Sequence, residues 1–181
     1  EDIMNIIIVG CGKVGQTLAE QLDKEGNDIT IVDLEYELVQ DVTSQVDVMG
    51  VVGNGATREI QREAGVEKAD LMIAVTGSDE LNLLCCLIAK KTGRNCQTIA
   101  RVRNPEYNKE INFIQEELGL AMAINPEYAA AREISKVLRF PSAIRIDSFA
   151  KGRVEILKCR IQPESILDGM VISDMDYKLH S

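Results

Sequence analysis

The chain predicts an α/β fold, a Rossmann-type doubly wound parallel sheet followed by a truncated α+β piece, and three observations carry this reading. Apolar strand-like runs alternate with helical stretches through the first 140 residues, the pattern of a parallel sheet covered on both faces. The run Ile6-Ile7-Ile8-Val9 passes directly into Gly10-Cys11-Gly12-Lys13-Val14-Gly15, and a second run beginning at Ile29 closes on Asp33. In such a loop the first glycine permits the tight strand-to-helix turn, the second lets the backbone approach a pyrophosphate, and the third lets helix and strand pack closely. The amides at the helix start then hold the anion.

Taken in order, strands are predicted near 5–9, 28–32, 47–52, 70–75, 97–102 and 121–124. The first helix runs from Val14 to about Glu25, with Val14, Leu18 and Leu22 at helical spacing and Gly26 ending it. Thr57 is the expected cap of a third helix stopping at Gly65, and Ser78 caps a fourth that reaches Lys91 with Gly93 beyond. Asn104-Pro105 and Asn125-Pro126 each open a helix with Asn as cap and Pro in the first turn, and Gly119 closes the earlier of the two. The later helix, Glu127 to about Phe140, carries Tyr128, Ala131, Ser135 and Leu138 along one side, to pack on the sheet or against another subunit.

After Pro141 the alternation stops, and Ile144–Phe149 and Arg153–Ile161 read as two strands joined by a turn at Lys151-Gly152. The expected division is a nucleotide-binding domain over 1–140 and, over 141–181, a linker with the opening strands of a second unit that is cut short.

Composition narrows the function classes. The length of 181 residues and a hydrophobic share of 45% suit a globular chain with a real core. No run approaches the roughly 18 apolar residues of a membrane span, and the start shows no signal-peptide pattern, so a cytoplasmic protein without direct membrane insertion is expected. The net charge of −9 argues against a nucleic-acid partner, whose phosphates need clustered Lys and Arg. The five cysteines, Cys11, Cys85, Cys86, Cys96 and Cys159, show neither metal-ligand spacing nor a disulfide framework, and no metal site is expected. They read as small core residues, and Cys11, a small residue fitting a tight loop, alone has a second reading, because a helix N-terminus can lower a thiol's pKa and make it reactive.

Ligands of open parallel sheets bind where the strand order reverses, at the carboxyl ends of the first and fourth strands. That selects the loop Gly10–Gly15 and the loop Thr76-Gly77-Ser78-Asp79-Glu80. The first opens its helix with Lys13 and no acid, whereas the second opens with Asp79 and Glu80, so phosphate belongs to the first and a ribose or the far half of the ligand to Thr76 and Gly77. Asp79 and Glu80 also serve as plain helix-dipole complements. Asp33 stands eighteen residues past Gly15, close to the spacing of about 20 for an acid that binds ribose hydroxyls. A carboxylate there disfavours a 2′-phosphate and hence NADP, but does not separate NAD from ATP, ADP or AMP. Arg101 and Arg103 share one face of the fifth strand and are candidates to reach the crevice. The Gly53-Asn54-Gly55 loop falls on the adenine side. The single histidine, His180, is remote in sequence from every nucleotide loop. With no acid–base group for hydride transfer, no catalytic residue is assigned and binding without turnover is the expected activity.

The Gly-loop, Asp33, Gly53-Asn54-Gly55-Ala56-Thr57, Val75 to Asn82, and Ile99-Ala100-Arg101-Val102-Arg103 agree in order and spacing with a known family. From about Asn5 to Phe140 the chain resembles the TrkA family of Trk potassium-uptake regulators, whose Rossmann module is called RCK or KTN. Val154–Ile161 and Ser165-Ile166-Leu167-Asp168-Gly169 are similar to the start of the small RCK C-terminal domain. The resemblance implies a cytosolic, non-enzymatic regulator with NAD or NADH, alternatively ATP, ADP or AMP, contacting Gly10, Cys11, Gly12, Lys13 and Val14. Asp33 would then hold the adenosine ribose, Thr76 and Gly77 would line the pocket, and Arg101 would contact nucleotide. It further implies a homodimer or larger ring, peripheral to the inner face of the membrane through a potassium transporter subunit, with Glu127 a candidate for a subunit or ion site or, more simply, for dipole complementation. This chain would be the first of two such modules with a fragment beyond it. Two other readings stand beside this one: the nucleotide domain of an NAD-dependent oxidoreductase lacking its substrate domain, and a redox sensor acting through Cys11.

Overall fold

In the computed structural model, residues 3–139, 143–149 and 153–171 are described. Six strands, β1 (Asn5–Val9), β2 (Asp28–Asp33), β3 (Met49–Val52), β4 (Leu71–Ala74), β5 (Gln97–Arg101) and β6 (Met122–Ile124), form one parallel sheet in the order β3-β2-β1-β4-β5-β6. The order reverses between β1 and β4, as the doubly wound reading requires.

The central strands are apolar without alternation because both of their faces are covered. Ile6 and Ile8 point to one core, with Ile29, Ile31, Val39 and Val42. Ile7 and Val9 point to the other, with Met72, Ala74, Cys85, Cys86 and Ala89. Helices α1 (Lys13–Lys24) and α2 (Tyr36–Thr43) cover the first face. Helices α3 (Arg58–Glu63), α4 (Asp79–Thr92), α5 (Pro105–Lys109) and α6 (Ile111–Leu118) supply the second. Each fully buried branched side chain is worth about 1.5–3 kcal/mol over an exposed one, so the two cores fix the strand ends that carry the loops.

Several elements differ from the sequence reading. Helix α2, the second helix of the expected alternation, carries no predicted bounds, since its eight residues are flanked by neither a side-chain cap nor a following glycine. The single helix expected between Pro105 and Gly119 is two, broken at Glu110 (φ −108°, ψ 14°), while Gly119 closes the second in the left-handed region as expected. Thr57 sits at the N-cap of α3 but its hydroxyl donates to the Asn54 carbonyl instead of accepting from the helix. Asn104, by contrast, accepts from the Glu106 amide at 2.9 Å.

Backbone contacts divide the chain into two compact units, 1–128 and 129–181. This break falls in the first turn of α7 (Pro126–Arg139), earlier than the boundary expected at residue 140. In the second unit, β7 (Ala143–Phe149) and β8 (Val154–Cys159) form an antiparallel pair. The expected turn at Lys151-Gly152 lies outside the described residues. Among the described residues no helix is long and apolar enough to cross a membrane.

Candidate functional site

A crevice of about 610 Å³ opens at the carboxyl ends of the strands on either side of the reversal. Gly10, Gly12, Lys13 and Val14 line it from the first loop, Asp33 from the end of β2, and Thr76, Gly77 and Arg101 from the far side. Eight of the nine residues expected at the site therefore share one cavity.

The first loop is shaped by its glycines. Gly10 has φ +107°, open to glycine and strained for other residues, and a Cβ there would lie 2.9 Å from the Thr76 nitrogen. Gly15 packs so closely that a Cβ would come 1.8 Å from the Gly10 carbonyl oxygen. Gly12 is different, for a Cβ on it would meet nothing within 4 Å. It occupies the N-cap of α1 without a side-chain cap, and the first turn holds no acid. The opening amides of α1 thus have no side-chain acceptor and face the crevice beside the exposed Lys13, a ready anion site.

The other helix start at the crevice is already compensated. Ser78 Oγ accepts from the Leu81 amide at 3.2 Å, and Asp79 and Glu80 occupy the first turn of α4. Asp79 does more than complement the dipole: it is buried, and one carboxylate oxygen accepts from the backbone amides of Arg103 at 2.8 Å and Asn104 at 2.7 Å. Its carboxylate fastens the connection after β5 to the start of α4. Glu80 accepts from the Ser78 hydroxyl and the Tyr107 phenol, each at 2.8 Å. Its own backbone amide, followed by these two donors, holds its carboxyl below the usual value, and the same bond raises the Tyr107 phenol.

Asp33 is tied on both oxygens, accepting from the Cys11 amide at 2.7 Å and the Glu35 amide at 3.1 Å. A carboxylate offers about four lone-pair positions, so half of its accepting capacity is left for other donors at the crevice. Leu34, Leu38 and Asn54 add to the wall near Asp33. Sequence reasoning singled out neither leucine for the site, since nothing local separates them from α2 core residues.

Cys11 stands apart from the rest of the set, and its burial fits a small residue closing a tight loop. It is the one member of the predicted set that does not line the crevice, being buried beneath the loop with only its amide directed at Asp33. Nor is its thiol activated, because burial, reinforced by the nearby negative charge of Asp33, pushes its pKa up to about 12. A redox sensor built on Cys11 is therefore not supported. Iodoacetamide at pH 8 is expected to leave Cys11 unmodified in the folded chain while alkylating the exposed Cys159, and peptide mass spectrometry reads the outcome. Comparable labelling of the two would contradict the buried placement.

The two arginines separate. Arg101 lines the crevice although it is mostly buried, donating to the Thr76 carbonyl at 2.7 Å and lying 3.9 Å from Glu127. Glu127, considered from sequence for a subunit or ion site, is thus an ion partner of Arg101. Arg103 turns away from the crevice wall to the Gly77 carbonyl at 2.5 Å and to Asp79 at 3.6 Å. Two buried amides also escaped sequence reasoning. Gln61 donates to the Gly55 and Cys85 carbonyls, and Asn82 bonds to both Thr76 and Arg101. His180 lies outside the described residues.

Comparison with known proteins agrees with this architecture. The TrkA-N domain family matches residues 6–126. The chain is 38% identical over 172 residues to a Trk system potassium uptake protein TrkA homolog of Archaeoglobus fulgidus, covering 95% of this chain and 39% of that protein. It is 37% identical over 172 residues to the Trk system potassium uptake protein TrkA of Haemophilus influenzae, covering 94% and 38%. The chain therefore spans about two fifths of the length of these curated relatives. Among solved structures, the TrkA-N domain of the inner membrane protein ybaL from Escherichia coli superposes with a TM-score of 0.65 at 25% identity, covering 76% of this chain and 99% of that one. The fold is shared with the AMP-bound Shewanella denitrificans Kef C-terminal domain (TM-score 0.63, 20% identity, 77% and 83% covered). It is shared also with the GsuK channel bound to NAD (TM-score 0.57, 20% identity, 68% and 22% covered). With residues 6–126 matched, a span that takes in the glycine loop, the acid closing β2 and the strand reversal, the chain belongs to the TrkA-N domain family.

Proposed function

We propose that this chain is the nucleotide-sensing module of a potassium uptake system, non-enzymatic, cytoplasmic and peripheral to the membrane through a transporter subunit. It binds NAD or NADH, alternatively ATP, ADP or AMP, and works as a homodimer or larger ring. The observation that carries this reading is the uncapped start of α1 facing a crevice with Asp33 on its rim. A diphosphate fits there: the space in front of Gly12 is open, the helix amides point at it, and Lys13 adds a cation. The adenosine ribose then meets the unused lone pairs of Asp33. The names of the relatives, and the NAD and AMP in the two solved neighbours, support the same ligand class and transport role.

Regulation follows from linkage. A nucleotide shifts the assembly only by its differential affinity for two geometries, and a coupling of about 1–3 kcal/mol changes affinity by 5- to 150-fold. A few altered phosphate contacts reach that size.

Calorimetric titration with NAD, NADH, ATP, ADP and AMP tests the reading, run beside Asp33→Ala. The variant is expected to weaken every adenosine nucleotide about tenfold, the low end for hydrogen bonds to a charged acceptor. NADP is expected to bind wild type more weakly than NAD, since its 2′-phosphate meets that carboxylate. Unchanged affinities in the variant would move the ligand elsewhere on the molecule.

A further inference from the structure

The buried amide of Asn82 sets the hydrogen-bonding polarity of the far end of the crevice. Asn82 is fully buried within α4. Its Oδ1 accepts the Thr76 backbone amide at 2.8 Å, and its Nδ2 donates to the Arg101 carbonyl at 3.0 Å. Those two backbone partners admit no exchange of roles, because an amide N–H only donates and a carbonyl only accepts. The orientation of the Asn82 side chain is thereby fixed. Thr76 Oγ1 lies 2.7 Å from the same Oδ1, which carries lone pairs alone, and 3.3 Å from the Ser78 carbonyl, so the hydroxyl proton is taken by the protein, with Asn82 the nearer acceptor. The Ser78 amide approaches Thr76 Oγ1 only at 3.4 Å. What Thr76 offers the crevice is an oxygen that accepts and cannot donate.

Arg101 does not change the character of that oxygen. Its terminal nitrogens are directed to the Thr76 carbonyl and toward Glu127, and its Nε, although unpaired, is sealed from solvent. The Thr76 oxygen is therefore suited to a group bearing a hydrogen-bond donor and unsuited to the bare acceptor oxygens of a terminal phosphate.

We propose that Asn82, acting through Thr76, is a specificity-determining residue that favours nucleotides carrying a sugar hydroxyl beyond the diphosphate over those ending in phosphate. NAD and ADP-ribose belong to the first class, ADP and ATP to the second. The proposal rests on the nucleotide reading of the crevice. Asn82 was not singled out from the sequence and touches no ligand itself; it is a positioning residue for the Thr76 oxygen.

The test is calorimetric titration of wild type, Thr76→Val, Thr76→Ser and Asn82→Ala with ADP-ribose, NAD, ADP and AMP, with a thermal melt of each protein. Thr76→Val keeps the side-chain shape and the Thr76 amide bond to Asn82. It is expected to lower the ratio of ADP-ribose to ADP affinity by about three- to tenfold, the value of one hydrogen bond, while ADP and AMP change little. Thr76→Ser restores the ratio. Asn82→Ala, where it folds, lowers the ratio as Thr76→Val does. A ratio unchanged in Thr76→Val overturns the proposal while leaving the nucleotide site standing, and so does an unchanged ratio in a folded Asn82→Ala. Wild type that binds none of the four ligands removes both.

Discussion

Replacing Gly12 with alanine is expected to leave the fold intact and to abolish most nucleotide affinity. A Cβ at Gly12 meets no protein atom within 4 Å, and the residue's φ of −68° with ψ −177° is extended backbone that alanine adopts freely. Nothing in the protein resists the methyl group. The space it fills is nevertheless the ground a diphosphate must cross to reach the first amides of α1. Pushing the phosphates outward loses charge-assisted bonds worth about 1.5–3 kcal/mol each, so a fall of roughly a hundredfold follows from losing one or two. The melting temperature should match wild type within about 2 °C, as for a surface change. Wild-type affinity in Gly12→Ala would show that the anion does not lie against this helix.

Gly15→Ala should give the opposite pattern. Its Cβ would stand 1.8 Å from the Gly10 carbonyl oxygen and 2.9 Å from the Gly10 carbonyl carbon, both backbone atoms that no rotamer change can move aside. Relief requires lifting α1 from β1, which opens the core around Ile6, Ile8 and Ala19. A loss of about 4 kcal/mol or more is expected, in the range reserved for a named steric conflict. Urea denaturation followed by circular dichroism would measure it, and a loss under about 1 kcal/mol would show that helix and strand are not packed this closely. Two glycines of one hexapeptide thus divide recognition from folding.

Much of this was readable from the chain because its signals are local. The Ile6–Val9 run, the spacing of Gly10, Gly12 and Gly15, and the apolar run ending in Asp33 each lie within a few residues and each has a direct steric or electrostatic cause. The Ser78 and Asn104 caps belong with them, since the capping bond closes two or three residues away. What was not readable depends on partners distant in sequence. Asn82 bonds to Arg101 nineteen residues on, and Asp79 to Arg103 and Asn104 twenty-four and twenty-five residues on. A buried amide inside a helix has no local signature, and an acid in a first turn looks the same whether it faces solvent or fastens a loop. The break at Glu110 escaped because neither proline nor glycine marks it. For Cys11, position in a motif says where the amide points, not where the thiol goes.

The paired amide bonds to Asp33 carry a wider implication. The same carboxylate that would greet an incoming sugar already braces the turn before it, using bonds internal to the polypeptide. The receptor surface is preorganised by the folding of the domain itself, so the entropy of setting that loop does not fall on association. Recognition of this kind favours rapid capture, with affinity governed by how quickly the small molecule leaves.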